Sequence, residues 1–427
     1  MNKNLFSLPD FTNNDSVFKE LIALRRILHR TPETGFHEWK TMELLIDLIK
    51  DTQGTITFMP QETAQHLCTL IPKADKPHKF LGTDVSVTGF KLTFNLDPQN
   101  KKVKKHLAIR SDIDGLSIPE SSDPMHLPAK LGFNAINGAM HACGHDGHMA
   151  IALMSALWVN ANLSLLYESD LSAISFIFQP AEEGCRGALA VIDSGFLQDI
   201  DLIYCYHLGL GVPSGYIVPC PSDFLASCKF TLEVFGKKSH AGHPELGINA
   251  LKVTASFIEK ALSLLDLKKG LYVNMSNLHC EGACNVIPDH CFLEGEIRVL
   301  DEENLDLLYS QIEQIIANES KAVPGSYYQL LKKGVGLGIR QDEKLCKKVA
   351  EAALKLKLNI MPEFKFNASE DASQLIRHLQ KQGKLGCYFM IGSDIANSHH
   401  NSSFDFDEKS LINGFNVIKE LILSELP

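Results

Sequence analysis

Four short apolar runs set the pattern of this 427-residue chain: His106 to Arg110 (HLAIR), Ala173 to Phe178 (AISFIF), Leu202 to Tyr206 (LIYCY) and Leu385 to Ile391 (LGCYFMI). Continuous apolar runs of this length predict strands buried on both faces. Helical spacing lies around them, with Phe18, Leu21, Ile22 and Leu28 near the start and Leu411, Phe415, Ile418 and Ile422 near the end. Strands alternating with helices imply an α/β fold, a mixed and mainly parallel sheet flanked by helices.

The stretch from 223 to 333 follows another rule. Cys228, Phe230, Leu232 and Val234 alternate as a strand, and Ile248, Leu251, Ala255, Ile258, Leu262 and Leu265 recur at helical spacing. An apolar stretch near Leu271 to Leu278 comes next, then the alternating Cys291, Leu293, Gly295, Ile297 and Val299, a helix with Leu305, Leu308, Ile312 and Ile315, and a last strand at SYYQLL (326 to 331). The order βαββαβ is that of a ferredoxin-like α+β unit. We therefore expect residues 223–333 to form a domain inserted into a larger one made of 1–222 and 334–427. Residues 72–105 are polar, carry Lys101, Lys102, Lys104 and Lys105 near their end, and read as a surface hairpin or extended loop.

Composition narrows the function. Hydrophobic residues at 45% and charged residues at 22% are ordinary globular values. A net charge of −10 argues against nucleic acid and anionic membranes as main partners. No apolar run approaches the roughly 20 residues of a membrane span. The opening MNKNLFSLPDFTNND has no signal-peptide core, so a cytoplasmic protein is expected. Eleven cysteines, an odd number in a chain of this size, suggest reduced thiols rather than a disulfide framework.

In open parallel sheets ligands bind beyond the carboxyl ends of the strands. After HLAIR comes Ser111-Asp112-Ile113-Asp114, after AISFIF comes Gln179-Pro180-Ala181-Glu182-Glu183, after LIYCY comes His207, and the loop after LGCYFMI reaches His399-His400. Before an apolar stretch at 149–159 stands MHACGHDGH, with His141, Cys143, His145, Asp146 and His148 inside eight residues. Thiolate, imidazole and carboxylate together are ligands of Zn²⁺ and other first-row divalent ions. Five candidates, Cys143, His145, Glu183, His207 and His400, exceed what one tetrahedral ion needs and point to two metals. A spare carboxylate, Glu182, would then take a proton from water and pass it to a leaving nitrogen, which is amide hydrolysis. No phosphate loop, G-x-S-x-G elbow or H-E-x-x-H helix competes with this reading.

These residues resemble the M20 metallopeptidase family, in particular its amidohydrolase branch of hippurate, N-acyl-amino-acid and auxin-conjugate hydrolases. The likeness rests on LRRILHRTPETGFHEWKT (24–41), IRSDIDGLSIPE (109–120), GAMHACGHDGHMA (138–150), FQPAEEG (178–184), HLGLGVPSG (207–215), GKKSHAGHPELGINAL (236–251), NVIPD (285–289), EGEIR (294–298), SEDAS (369–373) and HNSSFDFDE (400–408). The resemblance implies a zinc-peptidase-like catalytic domain with an inserted lid and dimerisation domain. It implies two divalent ions in each protomer (Zn, Mn, Co or Ni) on Cys143, His145, Glu183, His207 and His400, with Glu182 as general base. His400 rather than His399 is chosen because the family histidine stands four residues before the aromatic of the FDFDE-like stretch, here Phe404. His240 resembles the histidine that stabilises the oxyanion, and Asn285 and Arg298 resemble substrate-binding positions. Asp114 and Glu370, like His141 and His148, are expected to support the site from behind. The substrate implied is a small N-acyl amino acid and the assembly a homodimer through the inserted domain. A dipeptidase or aminopeptidase, or a metal-dependent binding protein without turnover, are the other readings. HNSSF lacks the proline usual after the family histidine.

Overall fold

The computed structural model describes residues 6–72, 76–97 and 105–427. The chain forms two compact units, one of Met1–Ser222, Ile339–Phe366 and Gln374–Pro427, the other of Asp223–Gly338 and Asn367–Ser373.

In the first unit eight strands among the described residues form one sheet. Their order is Thr55–Phe58, Phe90–Asn95, Leu171–Gln179, Lys105–Asp112, Leu202–Leu208, Leu385–Ile391, Tyr216–Val218 and Asn359–Ile360. The four middle strands run parallel. They are the four apolar runs of the sequence, and their side chains are buried almost without interruption. Burial on both faces accounts for their lack of polar alternation. Phe90–Asn95 and Thr55–Phe58 extend the sheet antiparallel at one edge. The Asn14–His29, His145–Ala161 and Lys409–Leu423 helices pack on one another. Of these, His145–Ala161 is buried on nearly all sides, as its string of Met, Ile, Leu and Ala requires.

The Phe90–Asn95 strand corrects the expectation for 72–105. That stretch does hold a small hairpin, His78–Phe80 with Thr83–Val85. It also supplies a sheet strand in which Phe90, Leu92 and Phe94 are at most 1% exposed. The alternation in FKLTFN is a strand pattern submerged in polar surroundings. Lys101, Lys102 and Lys104 lie outside the described residues, and Lys105 opens a sheet strand with its side chain exposed.

The second unit holds a four-stranded antiparallel sheet in the order Leu271–His279, His290–Val299, Ala226–Phe235, Tyr327–Gly336. The Ala250–Leu262 and Asn304–Ala322 helices pack on it. This is the ferredoxin-like arrangement. Cys228, Phe230, Leu232 and Val234 point into its core with Val253, Phe257, Ile297 and Ile312, which is why these strands alternate. The strand foreseen at 326–331 runs on to Gly336. One cysteine expectation fails here: Cys280 and Cys291 form a disulfide. Pairing of His279 with Phe292 puts these two residues opposite each other at the end of the ladder. The remaining nine cysteines form no disulfide. No described helix is long and apolar enough to cross a membrane.

Candidate metal centre

The site of the first unit is assembled at the carboxyl ends of the parallel strands. Asp112 ends one strand and Asp114 follows it, Glu182 and Glu183 follow Leu171–Gln179, and His207 lies in Leu202–Leu208. Cys143 and His145 flank Gly144, which takes φ 86° at the start of the His145–Ala161 helix. That left-handed turn suits a residue without Cβ and sets both donors on one side.

The donor atoms converge in overlapping groups. Those of Cys143, His145 and His207 lie within 4.8 Å of one another, as do those of Cys143, Glu183 and His400 and those of His145, Glu182 and Glu183. Cys143 Sγ is 3.4 Å from His207 Nε2, and His400 Nε2 is 3.3 Å from Glu183. The structure therefore brings together all five residues of the expected ligand set, with Glu182 beside them.

Hydrogen bonds fix which nitrogen each imidazole presents. His145 Nδ1 donates to the Asp114 carbonyl at 2.8 Å and His207 Nδ1 to the Leu208 carbonyl at 2.7 Å. With Nδ1 so engaged, the neutral form of each ring presents its lone pair on Nε2. His145 Nε2 is buried without a hydrogen-bond partner. It faces Asp112 and Glu182 at 3.8 Å and Glu183 at 3.9 Å. Nε2 facing carboxylates from within the protein calls for positive charge there: burial opposes it, but Asp112, Asp114 and Cys143 outweigh burial and hold the His145 imidazole well above its ordinary range, and a cation between the groups answers the same demand. The donor set of thiolate, imidazoles and carboxylate fits a divalent metal ion.

The neighbouring histidines are differently engaged. His148 Nδ1 donates to Asp112 at 2.7 Å while its Nε2 accepts the Leu208 N–H at 2.9 Å, so neither nitrogen is left for a ligand. His399 Nε2 accepts the Leu210 N–H at 3.0 Å, whereas the adjacent His400 turns to Glu183. A φ of 62° at His400 accompanies this reversal. His141 is buried, and neither ring nitrogen has a hydrogen-bond partner. Asp114 spends its carboxylate on the backbone, one oxygen on the Glu182 N–H and the other on the Glu183 N–H, each at 3.1 Å.

Charge states follow from these contacts. Burial alone would raise the Asp112 carboxyl, but His145, His148 and Arg110 outweigh it and hold it well below its ordinary range. Burial pushes the Cys143 thiol up and the His207 imidazole well down. His400, bonded to Cys143 and Glu183, is raised to about 10. His399, half-buried beside His400, falls to about 3 through desolvation and the charge of His400.

Residues 108–424 match the Peptidase family M20/M25/M40. The chain is 32% identical over 421 residues to a p-aminobenzoyl-glutamate hydrolase homolog of Haemophilus influenzae, covering 94% of this chain and 97% of that protein. The protein belongs to the M20 peptidase family. It is also 29% identical over 409 residues to an indole-3-acetyl-aspartic acid hydrolase of Enterobacter agglomerans, covering 91% and 92% of the two chains. Its fold is shared with an aminobenzoyl-glutamate utilization protein of Klebsiella pneumoniae, at a TM-score of 0.72, 20% identity and coverage of 96% and 97%. This M20 member is accordingly a metal-dependent hydrolase of amide bonds.

The remaining expected residues lie in the second unit. His240 is exposed on a two-residue strand paired with Val286–Ile287, and the Asn285 carbonyl accepts the Ala241 N–H at 2.8 Å. Those contacts bring His240 and Asn285 near each other. Arg298 is on the His290–Val299 strand and pairs with Glu296 at 2.8 Å. Glu370 is buried and accepts the Ala372 N–H. Sequence reasoning gave no role to Asp112, Arg25 or Glu38, although each falls inside a motif that carried the family resemblance.

Proposed function

We propose that this enzyme hydrolyses the amide of N-acyl amino acids or similar conjugates to a carboxylic acid and a free amino acid. Cys143, His145, Glu183, His207 and His400 hold two divalent ions in this reading. When bound, such ions lower the pKa of water and polarise a carbonyl oxygen. Glu182 accepts the proton of the attacking water and delivers it to the departing nitrogen. Asp114 holds the backbone of both glutamates, so the base keeps its place while its charge changes. The single observation carrying the proposal is the pair of imidazoles locked with Nε2 turned inward, that of His145 facing Glu182.

Relatives named for p-aminobenzoyl-glutamate and indole-3-acetyl-aspartate direct the first assay to aromatic acyl groups joined to glutamate or aspartate. His240 as oxyanion donor, and Asn285 and Arg298 as substrate-binding residues, are the roles implied by the family for the second unit. Arg298 suits a carboxylate through its two-pronged guanidinium. Self-association through that unit is part of the same reading and is measured by light scattering.

The test is release of amino acid from acetyl, benzoyl, aminobenzoyl and indoleacetyl conjugates and from dipeptides, with protein loaded with Zn, Mn, Co or Ni. E182Q is run beside the wild type. Turnover of an acylated substrate, lost in E182Q at unchanged metal content, is the expected result. Cleavage of dipeptides alone would move the enzyme to the peptidase reading, and full activity in E182Q would remove Glu182 as the base.

A further inference from the structure

Glu38 stands at the start of the Trp39–Ile49 helix and is wholly buried. It occupies the N-cap position yet makes no capping bond. Glu33 covers that helix end instead, accepting the Lys40 and Thr41 N–H groups at 2.8 and 2.9 Å. The Glu38 carboxyl is turned inward. Its Oε2 receives the Thr88 hydroxyl at 2.5 Å and its Oε1 the backbone N–H of Ala181 at 2.9 Å.

Ala181 immediately precedes Glu182 and has φ 53°. A residue with a Cβ keeps that left-handed conformation only where its surroundings over-determine it. Here they do. The Ala181 carbonyl accepts from Arg186 and Gly187 at 3.2 and 3.1 Å. A Cβ placed on Gly35 would meet both Ala181 Cα and Cβ at 2.8 Å, so the PETG segment packs closely on the turn at Gly35. The next two N–H groups belong to Asp114. Two buried acids thus hold three successive N–H groups, those of Ala181, Glu182 and Glu183.

We propose that Glu38 is a positioning residue for hydrolysis, holding the Ala181 N–H so that the left-handed turn aims Glu182. The proposal rests on the reading of Glu182 as general base. Without this acceptor the Ala181 N–H would be buried and unpaired, and relaxation of the turn would be the means of satisfying it. Relaxation at Ala181 swings the very next side chain. Burial, reinforced by the charge of Asp114, raises Glu38 to about 8. The carboxyl is therefore uncharged near neutrality, and a carboxamide reproduces both its shape and its acceptor.

The experiment compares kcat, KM and metal content in E38A, E38D and E38Q, with E38A also placed in the E182Q background. A misplacement of about 1 Å costs roughly 100-fold in rate, so E38A is expected to lose about 10- to 100-fold in kcat. KM and metal content stay as in the wild type. E38Q recovers to within about threefold, because its amide oxygen still accepts the Ala181 N–H. If E38A does not fold, E38D reads the same contact, since its carboxyl is withdrawn by one methylene while its chemistry is kept. The residual rate of E182Q is not lowered further by E38A, as expected of two residues acting as a unit. An equal loss in both backgrounds, an E38Q as slow as E38A, or a wild-type kcat in E38A with E182Q inactive would each overturn the proposal. Full turnover in E182Q would overturn the Glu182 reading and this proposal with it.

Discussion

Arg25 Nε meets the Asp146 carboxylate at 2.7 Å with neither side chain exposed to solvent. Asp146 follows His145 directly, so this ion pair anchors the helix turn that carries the metal donors. The same guanidinium reaches Asp405 at 2.7 Å and Glu408 at 3.4 Å and lies against the rings of Phe133 and Phe406. His29 completes the group, with Nδ1 2.7 Å from Asp146 and Nε2 2.9 Å from Glu120. Burial opposes charge on Asp146, but Arg25 and His29 outweigh it and keep the carboxyl far below its ordinary value.

Removing one partner of such a buried pair leaves an uncompensated charge, at a cost of about 3–5 kcal/mol. R25M should therefore lower the unfolding free energy by about that amount in urea titration. Adding D146N should return part of it. A loss below about 1 kcal/mol would mean that solvent reaches Asp146 when Arg25 is gone.

Glu38 gives a pH signature separate from catalysis. Its pKa in the folded state, about 8, lies above the ordinary 4.5. The folded protein then holds a proton that the unfolded chain releases between those values. Its contribution is fully present below pH 4.5 and is lost as pH rises through about 8. Across that window it declines by about 1.4 kcal/mol per pH unit. E38Q lacks this proton, so its melting temperature should gain on the wild type steadily from pH 5 to 8. Parallel curves for the two proteins would show that Glu38 is already ionised in the fold.

Gly147 sits in the first turn of the His145–Ala161 helix, where alanine would ordinarily be favoured by about 1 kcal/mol. A Cβ there would stand 2.5 Å from Leu208 Cδ1 and 2.7 Å from Phe406 Cζ. Overpacking of this kind costs about 1–3 kcal/mol, so G147A should be less stable despite its helix propensity. Metal content should fall as well, since the strain is taken up beside His145. Calorimetry and elemental analysis of the same preparation read both effects.

Cys143 belongs to two of the donor groups, one with His145 and His207 and one with Glu183 and His400. Losing it removes a ligand from each. C143A should retain less than half of the wild-type metal by elemental analysis and lose at least about 100-fold in turnover. H148Q, whose parent uses both ring nitrogens elsewhere, should keep more metal than C143A. The reverse order would place a metal on His148.

The sequence was informative where one force acts alone. Strands buried on both faces must be apolar throughout, so HLAIR, AISFIF, LIYCY and LGCYFMI stood out, and with them the positions just beyond. The second unit was legible through alternation, because helices cover one face of its sheet. Phe90–Asn95 was hidden because its alternation sits in a lysine-rich, polar stretch whose neighbours outweigh it by eye. Arg25, Glu38 and Asp112 were hidden for a deeper reason. A charged residue reads as solvated until its partners are known, and those partners lie far along the chain: Asp146 and Asp405 for Arg25, Ala181 for Glu38, His148 for Asp112. His399 and His400 are equivalent in composition, and their partners separate them, the Leu210 N–H for His399 and Glu183 for His400. The Cys280 to Cys291 bridge was likewise a matter of register, which cysteine counting does not contain.

The Arg25 cluster also has a bearing on how the protein is made. Arg25 and Asp405 are separated by 380 positions, with the whole second unit encoded between them. At roughly 5–20 residues per second, a ribosome would deliver Asp405 about 20 to 80 seconds after Arg25. Throughout that interval the Asn14–His29 helix carries a cation whose C-terminal counter-charges do not yet exist. The Asn14–His29 helix thus waits for its last anchors until the far end of its own unit is made, and a product ending before Asp405 lacks two of the three carboxylates that meet Arg25.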